Sequence, residues 1–115
     1  MGKSSTGTVL LFSPNATDSG GAGILGTTTL LLNTSYIATG IAYGPTAGTN
    51  TEIYLDGASE KTGTTNYTEP AWGTSFYVGG TASSSQSNSI IQAVAIFSDA
   101  KDATAVAAIT DILEN

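Results

Sequence analysis

Apolar and polar positions alternate along this chain in a way that marks several short strands and one helix at the end. The clearest run is Thr51–Leu55, with Ile53 and Leu55 on one side and Glu52, Tyr54 and the following Asp56 on the other. That period of two is what a half-buried strand requires. Asp56-Gly57 then predicts a tight reversal, because glycine accepts positive φ and aspartate bonds its own backbone. Further strands are expected over Thr8–Phe12, Leu25–Leu32, Tyr36–Tyr43, Phe76–Val78 and Ile90–Phe97, with a short one at Asn66–Thr68. Tyr36–Tyr43 places Ile37, Thr39, Ile41 and Tyr43 on one face and the small Ala38, Gly40 and Ala42 on the other. Ile90–Phe97 is apolar on both faces, as expected of a central strand covered from two sides.

After Phe97 the period changes. Ala103, Val106, Ile109 and Leu113 form one stripe at helical spacing, which predicts a helix over 100–113. Asp99 is the expected cap, with Asp102 near the positive end. Residues 1–115 then form a single domain, with 1–7 as an N-terminal tail and 100–113 as the closing helix. Gly57–Trp72 reads as a long polar connection, and 81–89 (TASSSQSNS) as a low-complexity loop. The expected fold class is all-β: an antiparallel jelly-roll-type β-sandwich with one short C-terminal α-helix. Ile53, Leu55, Val78, Val94, Ile96, Val106 and Ile109 are its expected core.

The order of these segments resembles a family. SYIATGIAYG, TEIYLDG, SFYVGG and NSIIQAVAIFSDA, followed by an Ala-rich helix, are similar to the concanavalin A-like lectin/glucanase superfamily, and within it to laminin G-like modules. The similarity covers roughly residues 35–113 and implies a lectin-like sandwich. Such domains usually need about 150–200 residues, whereas this chain has 115, so the resemblance implies a shortened version.

Composition excludes much chemistry. Cysteine and histidine are absent, and Lys3, Lys61 and Lys101 are the only basic residues against nine carboxylates, giving a net charge of −6. There is no thiol nucleophile, no imidazole base and no guanidinium clamp. An acidic surface repels phosphate backbones and anionic lipid, so neither nucleic acid nor a membrane is an expected partner. Only 10% of residues are charged, a surface better suited to being covered by other subunits than to standing alone.

Candidate motifs weaken on inspection. Gly21–Gly26 fits G-x-G-x-x-G, but a Thr-rich strand follows it where a nucleotide site needs a helix N-terminus. Glu52 and Asp56 share a strand face at roughly 13 Å by strand rise, beyond the separation of about 5–9.5 Å that glycoside hydrolysis uses. Glucanases of the resembled superfamily carry a clustered E-x-D-x-x-E pattern, which is missing here. Loop acids Asp18, Asp56, Glu60 and Glu69 have the oxygen chemistry calcium takes, but no dense ligand loop, and they read as solvated acids. No enzyme activity, metal or cofactor is expected.

Aromatic residues leave one ligand class. Trp72 with Tyr67, Asn66 and Glu69 has the stacking face and hydrogen-bonding groups of a carbohydrate platform; the alternative is that Trp72 packs within the sandwich. Sequons at Asn15, Asn33 and Asn66 carry little weight where Ser and Thr exceed a quarter of the chain. The expected function is a non-enzymatic structural or interaction module of a larger, oligomeric assembly. A bacteriophage virion surface (a decoration or fibre protein) is its expected setting, since a cysteine-free sandwich with a starting Met and no export signal suits a particle released by lysis. The alternative is an extracellular carbohydrate-binding adhesion module.

Overall fold

The computed structural model describes residues 2–3, 9–12, 23–44, 48–65 and 90–114. Its elements are β1 (Gly2–Lys3), β2 (Leu10–Phe12), β3 (Ile24–Leu25), β4 (Ala38–Ala42), β5 (Thr51–Leu55), β6 (Ala58–Gly63) and α1 (Ala103–Glu114). Among the described residues all strand pairing is antiparallel, in two three-stranded sheets ordered β1-β2-β3 and β4-β5-β6. The protein is thus antiparallel β structure with one C-terminal helix.

The second sheet is a meander built around β5. Leu55 pairs with Ala58 across Asp56-Gly57, and both turn residues have positive φ (50° and 77°), as a two-residue hairpin with right-handed strand twist demands. Asp56 also fixes the start of β4: its N–H donates to the Ile37 carbonyl and its Oδ1 accepts from the Ile37 N–H, both at 2.8 Å. Between Ile53 and Tyr54 the register with β6 slips by one residue, and Glu60 is the extra residue of this bulge. Bulges re-aim side chains.

Each face of this sheet meets a different layer. On one side Ile53, wholly buried, packs with Leu10 and Ile24 of the first sheet, flanked by Phe12, Leu30 and Leu55. Gly40, opposite Ile53, leaves room for the Phe12 ring: a Cβ there would lie 2.5 Å from its Cδ2. On the other side Ile41 and Tyr54 pack against Val106 of α1. Each isoleucine buried this way contributes about 1.5–3 kcal/mol.

Several expectations need correction. Gly2–Lys3, read as part of a tail, pair with Leu10–Leu11. The strand expected over Leu25–Leu32 stops at Leu25, because Glu60 Oε1 takes the Thr27 and Thr28 N–H groups that a ladder would need. The connection after Gly57 opens with β6, a polar edge strand. The helix runs over Ala103–Glu114 rather than 100–113; Asp102 caps it, with Oδ1 accepting from Ala105 N–H at 2.8 Å, while Asp99 pairs with Lys101 instead. Its buried positions are Val106 and Thr110, spaced i to i+4, and Ala103 and Leu113 are exposed. Residues 90–97 form no strand, and Val94 and Ile96 are exposed rather than in the core, since apolar faces alone supply no ladder partner. Asn66–Thr68 and Phe76–Val78 lie outside the described residues.

Candidate functional site

Residues 90–97 run from a connection into α1, and they expose a series of large apolar side chains. Ile90 is 91% accessible and Ile96 62%, with Ile91, Val94 and Phe97 each near half. None of these is charged. Asp99 and Lys101 close the segment: the Lys101 ammonium lies 2.8 Å from Asp99 Oδ1 and 5.0 Å from the centre of the Phe97 ring. That contact pins the segment's end beside the helix start. A second apolar point sits at the Leu32-Asn33 turn, where Leu31 and Leu32 are exposed and Asn33 has φ of 58°. Tyr36 helps shape it by accepting the Leu31 N–H at its hydroxyl, 3.0 Å away.

The polar chemistry is concentrated on the second sheet. Tyr43 donates its hydroxyl to Glu52 Oε2 at 2.6 Å and Ser59 donates to Oε1 at 2.5 Å. Burial alone would raise the Glu52 carboxyl, but the hydroxyls of Ser59, Tyr43 and Tyr54 overturn that and hold it below the ordinary range. Burial, then hydrogen bonding to Glu52, pushes both tyrosine hydroxyls upward. Such a carboxylate stays ionised and is a poor proton acceptor, so the cluster stabilises the sheet rather than serving as an acid–base pair.

A second polar group closes the far end of the same sheet. Asn50 is 1% exposed; its Nδ2 donates to the Thr65 carbonyl and its Oδ1 accepts from the Thr65 N–H, each at 2.7 Å. The side-chain amide thereby stands in for a backbone pairing partner. Thr51 Oγ1 lies 3.1 Å from both Asn50 Oδ1 and the Gly63 carbonyl, and 3.2 Å from Thr65 Oγ1.

The proposed carbohydrate residues Trp72, Tyr67, Asn66 and Glu69 lie outside the described residues, as does Asp18. Asp56 and Glu60, weighed as loop acids, have structural partners in Ile37 and in the Thr27–Thr28 backbone. Among the described residues no group of His, Cys, Asp or Glu side chains is placed to hold a metal ion. Sequence reasoning missed the Tyr43–Glu52–Ser59 cluster, although Glu52 and Tyr54 were placed on one strand face. It also read the exposed run 90–97 as core. No family model, curated protein or solved structure matches this chain.

Proposed function

We propose that this chain is a non-enzymatic structural and interaction module of a larger assembly, with the surface of a bacteriophage virion as its setting. The observation that carries the reading is the exposed apolar run Ile90–Phe97. Exposed apolar stretches of this kind are what subunit contacts cover. Low charge density supports it further, because little on the surface opposes close packing of subunits. The same reading includes the finer fold: a shortened, lectin-like jelly-roll sandwich, supported by two antiparallel sheets that meet around Leu10, Ile24 and Ile53.

Light scattering coupled to size exclusion tests the assembly reading. Wild type is expected to associate with rising concentration, and Val94→Asp with Ile96→Asp to shift it to monomer while circular dichroism stays unchanged. A wild type that remains monomeric at millimolar concentration, with the same profile as the double variant, would overturn it. Mass analysis of purified phage particles then tests the virion setting.

A further inference from the structure

The outer edge of β4 is an open position in the second sheet. In an antiparallel pair, residues that exchange bonds with the partner strand alternate with residues whose N–H and C=O groups point the other way. The Tyr43 N–H donates to the Asn50 carbonyl and the Asp56 N–H to the Ile37 carbonyl, both at 2.8 Å, which sets the phase of β4 against β5. Thr39 and Ile41 therefore bond towards β5, and Ala38, Gly40 and Ala42 turn their backbone groups outward. Among the described residues no strand lies beyond β4.

The two edges of this sheet differ. β6 carries Glu60, Lys61 and the register slip, the devices that keep a foreign strand from pairing. β4 (ATGIA) has no charge, no proline and an unbroken register from Ala38 to Ala42, so it presents a template for a further strand.

Residues 90–97 (IIQAVAIF) lack what this edge lacks. They are uncharged and rich in Ile and Val, which suits a strand, yet they lie in none, and among the described residues no backbone hydrogen bond involves them. A strand laid beside β4 would continue between the layers that cover β4 already, where Phe12 meets Gly40 on one side and Val106 packs with Ile41 on the other. A strand covered from both sides needs apolar residues on both faces, as this segment has.

We propose, building on the assembly reading above, that the partner is a second copy of this chain and that the contact is strand exchange: 90–97 of each copy adds to the β4 edge of the other. Donor and acceptor occur once each on every chain, so a two-fold pair satisfies both and closes. In one copy the end of the donor is tied beside the start of α1, with Lys101 bonded to Asp99 and set over Phe97, and its large apolar side chains face solvent. Neither strand is charged, so chains of net charge −6 oppose no like charges along the pairing.

Hydrogen–deuterium exchange of the full chain, below and above the concentration at which it associates, reads the pairing directly. The amides of Ala38, Gly40, Ala42 and 90–97 are expected to exchange freely in the dilute monomer and to become protected together on association. Ala42→Pro removes an outward N–H and none that β5 uses, so association should weaken about tenfold or more with circular dichroism unchanged. If the proline disturbs the sheet, Ala42→Lys blunts the same edge by charge and should weaken association likewise. Protection of these amides already in the monomer would put the segment on its own sheet and overturn the exchange. Association that leaves Ala38, Gly40 and Ala42 unprotected, or that a folded Ala42 variant does not weaken, would overturn it too while leaving the assembly reading in place. A chain that stays monomeric at millimolar concentration would overturn both.

Discussion

Replacing Asn50 by alanine should cost far more than the loss of a few side-chain atoms suggests. The amide makes two 2.7 Å bonds to the backbone of Thr65 and accepts a third from Thr51 Oγ1, all within a buried site. Its removal leaves the Thr65 N–H and carbonyl without their partner in a pocket that was filled, and each unmatched buried group costs about 1–3 kcal/mol. Two such groups give about 2–6 kcal/mol, a large share of the ~5–15 kcal/mol that holds a domain together. Asn50→Asp separates the parts of this effect. It keeps the shape and the acceptor, loses the donor to the Thr65 carbonyl, and places a charge in a buried site, so it should also destabilise. Urea denaturation followed by circular dichroism measures both. If Asn50→Ala shifts stability by less than about 1 kcal/mol, the amide is not substituting for a backbone partner and the reasoning fails.

Three further outcomes follow from the same geometry. Gly40→Val should lower the melting temperature, at a cost of about 1–3 kcal/mol from overpacking, because the new Cβ would lie 2.5 Å from Phe12; an unchanged melt would show that the ring moves freely. Asp102→Ala should cost about 1 kcal/mol by removing the cap on Ala105 N–H, with lost helical signal, whereas Asp99→Ala should cost little. The Glu52 carboxyl is held below its ordinary 4.5 in the fold, so its contribution is complete above that pH and drains away as pH falls below it towards the folded value. Acid titration of unfolding should therefore be flatter below pH 4.5 in Glu52→Gln, and an identical slope would remove Glu52 as its source.

The sequence was most informative where side-chain period and turn chemistry act locally. Thr51–Leu55 and its Asp-Gly turn could be placed to the residue, because alternation and positive φ both belong to neighbours in the chain. β6 escaped because an edge strand is held by backbone bonds, and ASEKTG carries no apolar rhythm to reveal them. Leu25–Leu32 was overextended because nothing local says that Glu60, more than thirty residues on, takes the Thr27 and Thr28 N–H groups. The candidate interaction surface was visible in sequence but with the opposite sign. A run apolar on both faces is equally the signature of a covered core strand and of a segment awaiting a partner, and Ile90–Phe97 is exposed. The Asn50–Thr65 amide pairing spans fifteen residues and leaves no periodic trace.

The position of the meander has a kinetic consequence. β4, β5 and β6 are joined in sequence order, with a two-residue turn between the last two, so their pairing needs only short loops to close. Helix α1 reaches the same sheet only after a connection of about 40 residues, whose closure carries an entropic cost of about 3 kcal/mol beyond a constant. Short-range contacts of this kind form early and distant ones late. The meander should thus act as the folding nucleus, with the helix docking after the rate-limiting barrier. Weakening the Asp56-Gly57 turn would then slow folding, whereas weakening Val106 would mainly hasten unfolding. The helix-covered face would be the first to open, leaving a β-sheet that is intact but bare on the side where Ile41 and Tyr54 had met Val106.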